Sequence, residues 1–302
     1  MLNHAFLITA HAHLPLLEKI IELLSAPNHY FFINIDKKTI GGGKFAQACK
    51  KRHINVFFTE GKERMEVTHG GYTQVECCIR LLRMASKYGM DYFHFISGQD
   101  YPCRSNAEFD DFFNQNNGRS FMQLDPESIH KEKSRTDYLN RTLPFWFIDI
   151  PHRELKIVDF MAKALNYISS RIPWRKEIPN LRGGWNWFSW HKSVTDYVLN
   201  YSETYPNFFK RFHHTRCCDE LIFATILYPY VNKLNIEVNN SLRYVNWQKR
   251  VEGRSFKSAP LILNEEEYEE IIGSGAFFCR KIHPKTSQKL LLLLEQNINK
   301  AL

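Results

Sequence analysis

The chain reads as an α/β protein with a mostly parallel central sheet flanked by helices and an elaborated C-terminal half. Short apolar runs alternate with stretches of helical periodicity through the first 125 residues, and each run stops on polar residues. At 302 residues with 44% hydrophobic and 14% aromatic content, the chain can also bury a large core. Residues 5–11 (AFLITAH) and 30–36 (YFFINID) are expected as buried strands, and between them Leu16, Leu17, Ile20, Ile21, Leu23 and Leu24 recur at helical spacing. Residues 54–59 (INVFFT) give a third strand. After His69-Gly70-Gly71 a helix begins with Val75, Cys78, Ile79, Leu82 and Ala85 on its apolar face, and residues 92–97 and 120–124 are the fourth and fifth strands. Such β-α-β alternation implies right-handed crossovers, with ligands bound outside the carboxyl ends of the strands. Those ends carry His11, Asp36 and residues 97–100 (SGQD).

From 126 to 182 the order dissolves into charge, proline and aromatics, as in TLPFWFIDIPHR and RIPWRKEIP. A loop-and-helix excursion over the sheet edge is expected there, where substrate selection usually resides. Order returns at Trp185-Asn186-Trp187-Phe188, which leads into a helix from about Lys192, and residues 218–228 (CDELIFATILY) read as another helix. No repeat or low-complexity linker interrupts the chain, so a single domain over 1–302 is expected.

Composition narrows the classes. The longest apolar run is the five leucines from Leu290 to Leu294, far short of the roughly 20 residues that span a bilayer. The N-terminus MLNHAFLITAHAHLP has no basic n-region or cleavage signature, so an unexported, cytoplasmic protein is expected. Seven cysteines, an odd number, suggest reduced thiols rather than a disulfide framework. His213 and His214 lie at i,i+4 distance from Cys217 and Cys218, but no CxxC or HExxH pattern supports a metal, and core thiols are the expectation. The net charge of +8 favours an anionic partner and is dispersed in groups such as KKRH at 50–53 and KRFHHTR at 210–216. No arginine-rich tail or nucleic-acid motif accompanies it.

Two short elements invite chemistry. Asp219-Glu220 precedes Leu221, Ile222, Ala224 and Ile226, in the expected first turn of a helix. Acids there complement the helix dipole, and the same dipole keeps a carboxylate ionised, as a general base must be. Spacing leaves both roles open. The Arg280-Lys281 pair near the C-terminus is likewise either a solvated surface group or an anion site.

Several segments, in order, resemble one enzyme family. The core-2/I-branching β-1,6-N-acetylglucosaminyltransferases and the related peptide O-xylosyltransferases are similar at LITAHAH, INIDKKT, HGGYTQVE, HFISGQDYP, CCDELIFATIL, and RYVNWQ followed by FFCRK. The resemblance runs from residue 5 to residue 283. It implies a GT-A-like nucleotide-sugar-binding fold, with a Rossmann-like nucleotide-binding half at 1–125 and an acceptor-binding and catalytic half at 126–302. It further implies inverting transfer of a sugar from UDP to an acceptor hydroxyl. Carried over by position, Glu220 is the base, Asp36 holds uridine, and Thr9, Ala10, His11 and His69 line the base. Asp100 supports the donor, and Lys281 with Arg280 binds the diphosphate.

Many GT-A enzymes hold the diphosphate through a metal on an Asp-x-Asp motif, which this sequence lacks. The resemblance therefore implies a metal-independent enzyme with no cofactor beyond its donor, in which side-chain cations neutralise the leaving group. Two departures stand out: the branching enzymes have a further arginine before the last segment, where SAPLILNEEEYEE has none, and CCDE replaces SPDE. Arg254 or Lys257 is the expected substitute for that arginine. Acceptor candidates are Lys131, Arg135, Trp185, Trp247 and Gln248; tryptophan faces stack on sugar rings but also fill cores. The donor sugar is expected to be GlcNAc, with xylose second, and the acceptor a surface glycan or glycolipid, with peripheral contact to an anionic membrane. A basic nucleic-acid-binding α/β protein and an inactive sugar-binding relative are the alternatives; no nucleic acid is expected as partner.

Overall fold

The computed structural model describes residues 1–125, 133–150, 155–247 and 260–300, with side chains from 136 onward in the second segment. The strands are β1 His4–Ala10, β2 His29–Ile35, β3 Val56–Phe58, β4 Tyr92–Ser97, β5 Tyr101–Pro102, β6 Ser120–Leu124, β7 Gly184–His191, β8 Ile236–Glu237, β9 Arg243–Val245 and β10 Phe278–Arg280. Seven of them form one sheet in the order β3-β2-β1-β4-β7-β6-β8. β7 pairs antiparallel with both of its neighbours, while every other pair is parallel, so β7 alone runs against the rest. The expected α/β architecture and mostly parallel sheet are present.

Period-two alternation gives the sheet its two cores. On β1, Ala5 and Leu7 face one layer and Phe6, Ile8 and Ala10 the other, all nearly or wholly buried. The first layer is roofed by helices Thr73–Ala85, Lys192–Thr204 and Ile222–Leu227. The second is roofed by Leu14–Leu24, Gly42–Arg52, Asn106–Gln115 and Gln288–Lys300. Leu14–Leu24 forms because Leu16, Leu17, Ile20, Ile21 and Leu24 make one buried stripe and Pro15 sits in its first turn, where its missing N–H costs nothing. Each such side chain contributes about 1.5–3 kcal/mol on burial. Asn106–Gln115 is started by Ser105, which accepts from the Glu108 N–H while Glu108 reaches back to the Ser105 backbone.

A second sheet, β5-β10-β9, joins three distant parts of the chain. β10 pairs antiparallel with Tyr101–Pro102 and parallel with Arg243–Val245, so FFCRK, SGQDYP and RYVNW become neighbours. Tyr101 is buried and its hydroxyl donates to Glu295 on the last helix at 2.8 Å, which fixes the turn.

Two expectations are corrected. Residues 218–228 are not one helix: Cys218–Glu220 is a short 3-10 helix, and the α-helix begins only at Ile222. Cys217 takes a left-handed conformation (φ 49°) and Leu221 departs from helical φ (−111°), so the chain turns twice before the helix starts. Asp219 and Glu220 therefore lie outside its first turn. The WNWF segment, read only as a lead-in to a helix, is β7, close to the middle of the sheet. The excursion expected after residue 126 carries helices Lys133–Thr142 and Lys156–Ser169.

Candidate active site

β1, β2, β4 and β6 all end at one edge of the sheet, and the antiparallel β7 begins there. Asp36, one residue past β2, is 3% exposed; its carboxylate accepts from the Lys38 N–H at 2.8 Å and the Val67 N–H at 2.9 Å, tying two loops to the strand end. Thr9 and Ala10 use their carbonyls within the sheet, accepting from Gly98 and Asp36. Gly98 packs closely there, since a Cβ would lie 3.1 Å from the Ala10 methyl, tighter than an ordinary contact. His11 is exposed just beyond. Burial lowers the pKa of His11, as does the charge of Lys281, while Asp36 raises it and His69 lowers it, so these groups share one neighbourhood.

The SGQD turn folds upon itself. Asp100 is wholly buried, accepts from the Ser97 N–H at 2.6 Å and from the Ser97 hydroxyl at 2.5 Å, and meets the Arg280 guanidinium at 3.3 Å. Arg280 in turn lies 4.0 Å over the Trp187 ring. Beneath them Arg243, 8% exposed, donates to the Phe95 carbonyl at 2.9 Å and the Phe188 carbonyl at 2.8 Å, bridging β4 and β7 where those two residues pair. Its pKa is lowered to about 9 by burial, against the attraction of Asp100. Arg280 is thus committed to Asp100, whereas Lys281 beside it has no carboxylate partner among the described residues. The pKa of Lys281 is lowered by burial and by Arg280.

The HGG and CCDE turns meet across the same edge through a 2.8 Å hydrogen bond from the Cys217 N–H to the Gly70 carbonyl. Gly71 admits no side chain because the Asp149 carboxylate, which caps Thr73 at the start of the next helix, fills the space. This junction places Glu220 with its side chain 44% exposed and its carboxylate 2.6 Å from the Arg141 guanidinium. Asp219 turns inward: Asn186 donates to its Oδ2 at 2.6 Å, and its buried Oδ1 has no partner among the described residues. Burial, and then the charge of Glu220, push the Asp219 carboxyl up to about 7.

A cavity of about 250 Å³ opens between these groups, lined by Glu220, Arg141, Arg280, His69 and the rings of Trp185 and Trp247. The two indole rings lie 6.0 Å apart at 55°, and Trp247 is 54% exposed. Five residues singled out in the sequence therefore converge: His69, Trp185, Glu220, Trp247 and Arg280. A larger groove of about 910 Å³ follows helix Thr73–Ala85. Its Arg80 is paired with Glu63 and Glu76 and its Arg83 with Glu203, and no central strand ends in it, so the smaller cavity is the better site despite its size.

The remaining candidates are dispersed. Lys131, Gln248, Arg254 and Lys257 lie outside the described residues, and Arg135 lies on helix Lys133–Thr142 with its side chain outside them. Cys217, Cys218, His213 and His214 do not converge as metal ligands among the described residues. All seven thiols are unpaired; six are buried, and Cys217 is half-buried.

A family model described as Core-2/I-Branching enzyme matches residues 4–272. The chain belongs to the Core-2/I-branching enzyme family. Similar curated members include Xylosyltransferase oxt of Drosophila pseudoobscura pseudoobscura, 22% identical over 97% of this chain, and Xylosyltransferase 2 of Homo sapiens, 22% identical over 96%. The chain spans about a third of the length of each, 33% in both cases. Among solved structures, 4-diphosphocytidyl-2C-methyl-D-erythritol synthase from Anaerococcus prevotii aligns over 91% of this chain and 95% of its own at 11% identity. Its TM-score of 0.41 is too low for that superposition to carry an argument.

In this Core-2/I-branching member Arg141, Asn186, Trp187, Asp125 and Tyr138 also line the cavity, none of them among the site residues expected from the sequence. Asp125 carried a signal, an acid immediately after a strand, as at Asp36. The Gly183-Gly184 pair carried another, since a Cβ on Gly183 would collide with the Tyr138 hydroxyl and the Asp125 carboxylate that bond to each other there. Arg141, in a stretch with no strand pattern, carried none.

Proposed function

We propose that this protein is an inverting glycosyltransferase that moves a sugar from a UDP-sugar to the hydroxyl of a glycan or glycolipid. The observation that carries the reading is the placement of Glu220: a half-exposed carboxylate held by Arg141, on the rim of a cavity that also presents two tryptophan faces and Arg280. As the acceptor oxygen bonds to the anomeric carbon from one side, its proton passes to Glu220. The bond from that carbon to the diphosphate oxygen breaks on the other side, and UDP departs with the electron pair. Lys281, which forms no ion pair among the described residues, supplies positive charge to the diphosphate, and Arg280, braced on Asp100 and Trp187, shapes the wall behind it. His11 feels both Lys281 and Asp36, and the donor base is proposed to sit at this end of the sheet. Trp185 and Trp247 offer stacking faces to a sugar ring.

Because the sequence has no Asp-x-Asp, the diphosphate falls on this reading to side-chain cations rather than to a metal. The similar curated proteins are named xylosyltransferases, which sets UDP-xylose beside UDP-GlcNAc as the first donors to test. The test is a melting and turnover screen across nucleotide sugars. A UDP-sugar should raise the melting temperature by mass action and be consumed when acceptor is present. Stabilisation by RNA or DNA, with none by any UDP compound, would replace this reading with nucleic-acid binding.

A further inference from the structure

The helix Lys156–Ser169 presents its apolar stripe to solvent. Ile157, Met161 and Leu165 form one ridge and Phe160, Ala164 and Ile168 the next, at helical i,i+4 spacing. Exposure is 69% for Ile157, 72% for Phe160, 57% for Met161 and 57% for Ile168. Only Ala162 and Ser169 are buried, and the helix is fastened from that side, where Ser169 and Asn166 accept hydrogen bonds from the backbone of Phe145 and Phe147. Trp174, 57% exposed, follows the helix. Scattered apolar residues on a surface are ordinary, but a contiguous stripe of large ones marks a surface that meets an apolar phase.

The charges beside the stripe say which phase. Residues 155–177 contain five basic side chains, Lys156, Lys163, Arg171, Arg175 and Lys176, against Asp159 and Glu177. Lys156 and Lys163 stand on the flank of the helix next to Phe160, Lys163 largely exposed while also bridging to Asp159 at 2.6 Å, and Tyr167 and Trp174 are aromatics of the type that settles at headgroup depth. A large apolar face with basic residues alongside and interfacial aromatics is the pattern of a helix that lies in the plane of a membrane. A second copy of the chain is a poorer occupant, since a two-fold contact would bring the same lysines against one another. No described helix is long and apolar enough to cross a membrane.

We infer that the 155–174 surface docks on an anionic lipid bilayer, with Ile157, Phe160, Met161 and Ile168 entering the headgroup boundary and Lys156 and Lys163 meeting the phosphates. The consequence for the site is direct. Residues 143–147 tie the two helices together: Leu143 donates to the Leu139 carbonyl at 2.8 Å and accepts from the Arg175 N–H at 3.1 Å, Phe145 and Phe147 donate to Ser169 and Asn166, and helix Lys133–Thr142 supplies Arg141 to the cavity.

The test is sedimentation of the full chain with vesicles of phosphatidylcholine alone and of phosphatidylcholine mixed with phosphatidylglycerol, at low and high salt. Binding is expected with phosphatidylglycerol and should weaken with salt. It should fall by about tenfold or more in Phe160→Glu/Met161→Glu and in Lys156→Glu/Lys163→Glu, both with unchanged circular dichroism and melting temperature. Absence of binding to the anionic vesicles overturns the inference, as does undiminished binding by Phe160→Glu/Met161→Glu. A dimer that dissolves in that variant, with no vesicle binding by the wild-type chain, overturns it in favour of a second copy.

Discussion

Arg141 donates to the Glu220 carboxylate at 2.6 Å and at the same time holds Asp137, one turn back on its own helix, at 2.8 Å. The guanidinium is thus fixed between two acids and fixes one of them in turn. Its two acid partners, with Glu220 the stronger, overcome the cost of its burial, and its charge is held more firmly than in water.

Arg141 is on this account a positioning residue. Arg141→Ala should lower kcat by about 10–100-fold, the loss of roughly 1.5–3 kcal/mol expected for a hydrogen bond to a charged group. Affinity for UDP should stay within a few-fold, and Arg141→Lys should recover part of the rate. An Ala variant with normal kcat would show that Glu220 needs no such support.

Asp219 supplies a pH test with a definite sign. Its carboxyl, normally near 3.8, is pushed up to about 7 by burial and by Glu220. Between those values the folded protein keeps a proton that the unfolded chain has released, so this group removes stability as pH rises through the window, on the order of 1.4 kcal/mol per unit. Asp219→Asn should therefore melt at a higher temperature relative to wild type at pH 8 than at pH 4. Melting curves that shift in parallel would place the proton elsewhere.

The opposite pole of the sheet titrates the other way. His4, His29 and His94 are buried with Asp110; His4 Nδ1 and His94 Nε2 are 3.0 Å apart, and His29 Nε2 is 2.9 Å from the Asp110 carboxylate. Burial, then the neighbouring His29, lowers His4 to about 3 against the pull of Asp110, and burial with His4, Arg243 and His29 lowers His94 strongly. The unfolded chain then binds protons that the folded one refuses, so stability falls as pH drops below 6.5. At pH 5 the lowered His4 alone should cost about 2 kcal/mol. The melting temperature of His4→Phe/His94→Phe should depend less on pH between 7 and 5 than that of wild type; equal dependence would exclude this cluster as the cause.

Lys281 and Arg280 are adjacent but differently employed, and this separates their variants. Lys281→Ala should lose most transfer activity, since preorganised positive charge at a leaving group is commonly worth several kcal/mol. Activity should survive EDTA. An enzyme silenced by EDTA, restored by Mn²⁺ and indifferent to Lys281→Ala would show that a metal holds the diphosphate.

The parts of this fold that were legible in the sequence are those governed by local pattern. β1, β2 and β4 are continuous apolar runs, as strands buried on both faces must be, and their polar ends marked the site edge. β7 was not legible because Trp185, Asn186 and Trp187 are all only half-buried while Phe188, Ser189 and Trp190 are all buried, which matches neither period. β5, β9 and β10 are two or three residues long and exist only through pairing across the chain. Likewise Glu220 could be named from its neighbours in sequence, but Arg141 lies 79 residues away and becomes visible only when the HGG and CCDE turns close on each other. Asp36 could be placed at a strand end, yet nothing local showed that its carboxylate would be taken up by Lys38 and Val67.

Whether Glu220 takes the acceptor's proton is decided by the paired determination of kcat and UDP affinity for Glu220→Gln. The substitution keeps the shape of the side chain and removes its basicity. With Glu220 as the base, kcat should fall by about 10²–10⁴-fold, the usual contribution of a general base, with a calorimetric Kd for UDP close to that of the wild type. A Gln variant that turns over within a few-fold of wild type would contradict it and assign the proton to another group.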